Sequence, residues 1–142
     1  MATKQDFSEQ EWEALHKGVM GAGMLVSVAD RDFTDSFGEV KALAKFLGEQ
    51  RGSSTSTLVR DLGSAHGTGF GLTTSPDKLE VETLVSLRSA VATLQAKAPD
   101  EVAPYRELVL SAAEKVAEAK GGGVQDSEAA AIDKLKEALG SS

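Results

Sequence analysis

Apolar residues recur along this chain at alternating steps of three and four, the spacing of one helical face. The first series is Trp12, Leu15, Val19, Ala22 and Val26. It is preceded by Ser8 and Glu11, an S-x-x-E capping box, with Phe7 in the position of a staple residue. From Val19 to Ala29 nearly every residue is apolar or small, so this helix is expected to be covered on most sides. Gly18, Gly21 and Gly23 lie within it, each costing about 1 kcal/mol of helix stability relative to Ala. Two accounts fit them: close approach of a neighbouring helix, or a kink.

The pattern breaks at Asp30-Arg31-Asp32-Phe33-Thr34-Asp35. Ser36 and Glu39 form a second capping box, and Val40, Leu43 and Leu47, with Phe46 beside them, line a second helix with Gly48 near its end. The polar stretch Arg51–Thr57 leads to a short helix over Leu58–Leu62, which Ser54 or Thr55 can cap. Residues 63–74 are glycine-rich and read as a surface loop joining two halves, about 7–62 and 75–140. In the second half, Ser75-Pro76 sets a cap before a proline at the first helical position. Leu84, Leu87, Val91, Leu94 and Ala98 then give an inward face, and Pro99 ends that helix. Asp100 is expected to cap the next, with Pro104 tolerated in its first turn and Tyr105, Val109, Ala112, Val116 and Ala119 facing inward beside Leu108. Gly121-Gly122-Gly123 stops it. Asp126 caps a last helix with Ile132, Leu135 and Leu139 on its face, and Gly140-Ser141-Ser142 is expected to fray. The fold class is therefore all-α, a compact single-domain bundle of about five to seven helices over residues 1–142. The passages Val26–Gly48 and Val116–Gly140 share a helix–loop–capped-helix order, which suggests either a duplication or the general likeness of amphipathic helices.

Composition strengthens the helical reading. Twenty residues are Ala and one is Ile, a balance that favours helix over sheet. Aromatics are only 5%, so the core must be built from Ala, Leu and Val. The absence of Cys removes disulfides, thiolate metal sites and a cysteine nucleophile, and two His cannot supply a three-His metal site within one chain. The net charge of −7 argues against nucleic acid and anionic membranes as partners, since both need a basic field. No apolar run approaches the roughly 18 residues of a membrane span. Residues Met1–Asp6 lack the apolar stretch of a signal peptide, so a cytoplasmic protein is expected.

Three constellations are candidates for chemistry. Asp30, Asp32, Asp35 and Glu39 place several hard oxygen donors on a loop between helices, a set suited to a divalent cation such as calcium or magnesium. It departs from an EF-hand: Asp35 stands where the central Gly is required, Lys41 where the twelfth-position Glu would be, and Arg31 sits among the ligands. The competing reading is that these acids are solvated and serve the helix N-terminus. Glu13-x-x-His16 has the spacing of a di-iron helix motif, but a complete site needs a second copy and two more Glu, which only a dimer would provide. The plainer reading is a surface pair of Glu13 with Lys17 and a partly exposed His16. Gly67-x-Gly69-x-Gly71 lacks dinucleotide-binding spacing and has no P-loop lysine after it, which leaves a loop. Trp12 and Tyr105 fall in apolar register and read as core anchors.

Leu94-Gln-Ala-Lys-Ala-Pro-Asp, Tyr105-Arg-Glu-Leu, the run from Val116 through Gly121-Gly122-Gly123 to Glu128, and Ile132-Asp-Lys-Leu-Lys-Glu-Ala-Leu-Gly resemble a group of uncharacterised small bacterial all-helical proteins. Phe7-Ser-x-x-Glu-Trp12 and Gly23–Asp30 are similar to the N-terminal half of that group, which has no assigned activity. A weaker similarity is to the TerB-like tellurite-resistance proteins, whose acidic helix-loop-helix units are implicated in metal binding. Ala29-Asp30 and Glu39 match the ends of that pattern, with Arg31 in place of its Gly and a longer spacer; in the second unit Ala119 and Glu128 match but Lys120 replaces the Asp. The functional expectation is a non-enzymatic protein acting through a protein partner or self-association, with a stress-related role. The alternatives are a TerB-like divalent-metal-binding protein using residues 30–39, and a dimeric carboxylate-bridged iron protein using Glu13 and His16.

Overall fold

The computed structural model describes residues 4–29, 45–50, 52, 58, 62, 76–118 and 126–140. Among these there is no strand. A 3-10 turn at Lys4–Asp6 leads into α1 (Glu9–Ala29); α2 (Pro76–Lys97) and α3 (Val102–Glu118) are joined by a 3-10 turn at Pro99–Glu101; α4 (Asp126–Ala138) ends the described chain. Residues 45–50 are also helical, and Gly48 lies inside that segment. Among the described residues this segment and the four longer helices make five, in keeping with the all-α class expected from the sequence. The proposed duplication rests on residues 30–44 and 119–125, which lie outside the described residues.

The start of α1 forms as its local sequence dictates. The Ser8 backbone N–H donates to Glu11 Oε1 at 2.8 Å, and the Glu11 N–H donates to Ser8 Oγ at 3.1 Å. Two N–H groups that no helical carbonyl can reach are thereby satisfied reciprocally. Phe7 and Trp12 flank this box, both buried, with ring centroids 6.4 Å apart and planes tilted by 35°. They are the hydrophobic staple, and they fix the angle at which the chain enters the helix.

α1 is the helix that the others share: α2, α3 and α4 all pack on it, while the consecutive helices α2 and α3 touch little outside their connecting turn. This explains why the Val19–Ala29 stretch carries almost no polar residue. Leu15, Val19, Ala22, Leu25 and Val26 are all buried, and Gly18, Gly21 and Gly23 with them. α1 and α2 run antiparallel, with Glu11 paired to Lys97 at one end and Gly18 against Leu87 in the middle. One continuous core draws Phe46, Leu47, Leu58 and Leu62 from the first half of the chain together with Leu87, Leu94, Tyr105, Val109, Ile132 and Leu135 from the second.

The turn between α2 and α3 differs from expectation in one respect. Asp100 is expected to cap α3, yet it lies inside the 3-10 turn, exposed, two positions before the first residue of the helix. Backbone bonds close the turn instead: Glu101 N–H donates to the Ala98 carbonyl at 2.9 Å, and Val102 N–H to the Pro99 carbonyl. At the other end of the bundle Gly140 is described, while Ser141 and Ser142, the rest of the segment expected to fray, lie outside the described residues. Gly140 adopts φ +75°, the left-handed C-terminal cap that suits glycine. Arg106 Nε of α3 donates to the Leu139 carbonyl at 2.8 Å, placing a cation where α4 ends in unpaired carbonyls.

Two ion pairs at the surface join helices among the described residues: Lys97 of α2 with Glu11 of α1, and Lys134 of α4 with Glu80 of α2. The Lys97 hydrogen bond, and then the Ser8 N–H, hold the Glu11 carboxyl below its ordinary range. A depressed carboxyl stabilises the fold above its ordinary pKa, and that contribution is lost as pH falls through the lowered folded value. Glu11→Gln keeps a capping-box acceptor but removes the charge. Its acid-unfolding limb, followed by circular dichroism between neutral and strongly acidic pH, should be flatter than that of the parent, and an identical limb would show that the Lys97 pair is idle.

Candidate functional site

The sequence candidates divide sharply. Asp30, Asp32, Asp35 and Glu39 lie outside the described residues, as do Gly67, Gly69 and Gly71. Glu13 and His16 are both on α1, but they meet different surroundings: Glu13 is exposed and His16 is 8% exposed. His16 is therefore a buried residue rather than the partly exposed one of the plainer reading. Among the described residues, no group of three or more His, Asp or Glu gathers as a metal would require. Trp12 and Tyr105 are core anchors, as their register implies.

Among the described residues, four polar side chains enter the interior. Tyr105 is fully buried, and its hydroxyl donates to the Leu15 carbonyl of α1 at 2.7 Å. Burial pushes that hydroxyl far above the ordinary tyrosine range, so it is a neutral donor bound to backbone. His16 and Glu101 are buried too, and each makes an interaction within the chain. Thr83 is the exception: it is fully buried on α2, and its hydroxyl oxygen has no hydrogen-bond partner. A buried unpaired hydroxyl carries its desolvation cost without a return. Thr83→Val should therefore raise stability by about 1 kcal/mol, read from the urea midpoint. A loss of stability would mean that the hydroxyl has a partner in solution.

Sequence reasoning passes over Thr83 because it anchors the α2 face on Leu84. The buried series is instead Leu79, Thr83, Leu87, Ala90, Val91 and Leu94, with Leu84 only half-buried at its margin. This small rotation turns the opposite side of α2 into the most distinctive surface of the described structure. Val81 is 61% exposed and Val85 57% exposed, and they are the only large apolar side chains so exposed among the described residues. They stand one turn apart. Exposed Arg88, Ala92 and Ala96 continue the same stripe, so it runs about 22 Å along the helix with a single charge in it.

Val at an exposed helical position is a poor choice for the monomer. Its branched Cβ loses rotamer freedom against the preceding turn, and it gains no packing in return. Two such residues one turn apart add an apolar strip to a helix that already buries its other side. The strip holds no nucleophile, acid or base, and its single cation, Arg88, is flanked by methyl groups. Compared with known proteins, the chain matches no family model, no curated protein and no solved structure.

Proposed function

We propose that this chain is a non-catalytic helical protein that works by association, with a protein partner or with a second copy, through the outer stripe of α2. The observation that carries this reading is the pair Val81 and Val85, apolar and exposed on a helix whose opposite side is already in the core. The interior supports it: the Tyr105 hydroxyl is committed to the α1 backbone, so it holds helices together rather than meeting a substrate. The alternative, a divalent-cation protein of TerB-like type, draws on the spacing of Asp30, Asp32, Asp35 and Glu39 in the sequence.

The test is a double substitution, Val81→Lys with Val85→Lys. Lysine suits an exposed helical position, so the melting temperature should hold or rise slightly. Light scattering of the parent over a range of concentrations should give a mass climbing above 14.8 kDa, while the double variant stays at that value. Where the occupant is another protein, affinity capture from the native cells should return it with the parent and lose it with the variant. A parent that is monomeric at every concentration and captures the same proteins as the variant overturns the reading.

A further inference from the structure

We draw no further inference here: the strongest candidate, the exposed apolar stripe of Val81, Val85, Ala92 and Ala96 on the outer side of α2, belongs to the site already described, and nothing in the structure shows what covers it.

Discussion

Tyr105→Ala should cost about 3–5 kcal/mol, the range for removing a fully buried aromatic ring, which is a large part of the stability of a domain this size. The ring is the largest fully buried side chain among the described residues, and it sits where α3 meets α1. Its loss leaves a cavity between α1 and α3, two helices that also pack on other elements of the core, so collapse can fill only part of it. Tyr105→Phe separates ring from hydroxyl. The Leu15 carbonyl keeps its place in the helical ladder of α1, so the Phe variant should lose only about 1 kcal/mol. A pH series sharpens the comparison. The hydroxyl is raised by burial, so its contribution is complete below the ordinary tyrosine pKa of about 10 and declines as pH rises beyond it. The parent should thus lose stability on the alkaline side more steeply than Tyr105→Phe. Urea midpoints for the three proteins at neutral and alkaline pH make the check. An Ala variant within 1 kcal/mol of the parent would show that Tyr105 is not the anchor between these helices.

The elements legible from sequence are those whose cause is local. The Ser8–Glu11 box and the Phe7–Trp12 staple involve residues three and five apart, and both form as read. Proline at the first position of α2 is likewise a local backbone requirement. Register identifies Tyr105 as a core residue, but its bond to Leu15 spans 90 positions and depends on which helices become neighbours. The same holds for Arg106, whose reach to Leu139 closes α4 from another helix. Polar residues in apolar register are the hardest to place. Thr83 and His16 interrupt a hydrophobic series, so a pattern reading turns the face away from them, although both are buried. On α2 this moves the inward face by about one residue and hides the exposure of Val81 and Val85, the basis of the candidate site. The helix is apolar on two sides, and spacing alone cannot say which side a monomer buries. The acidic set Asp30 to Glu39 lies outside the described residues, so its reading rests on donor chemistry alone.

Gly18→Ala should destabilise the protein, against the usual rule that Ala improves a helix. In an open helical position the exchange gains about 1 kcal/mol. Here the new Cβ would stand 2.5 Å from the Tyr105 hydroxyl and 2.7 Å from Leu87 Cδ2, both closer than real Cβ contacts come. Neither neighbour yields easily. Leu87 is fully buried, and the Tyr105 hydroxyl is held to the Leu15 carbonyl less than one turn away. Overpacking of this kind costs about 1–3 kcal/mol and should exceed the gain in propensity. Of the two accounts of the glycines in α1, close approach is therefore the one that applies at Gly18: the missing side chain is what lets Tyr105 and Leu87 reach the helix. A double-mutant cycle isolates the cause. If the clash is with the hydroxyl, Gly18→Ala should cost less in a Tyr105→Phe background than in the parent, because the phenyl ring ends one atom earlier. The two single losses would then sum to more than the loss of the double variant, by an amount within the 0.5–3 kcal/mol expected of residues in contact. Strict additivity would move the obstruction to Leu87, where Leu87→Val is the matching relief. An Ala variant more stable than the parent would mean that α1 stands farther from α2 and α3 than the packing at Gly18 requires.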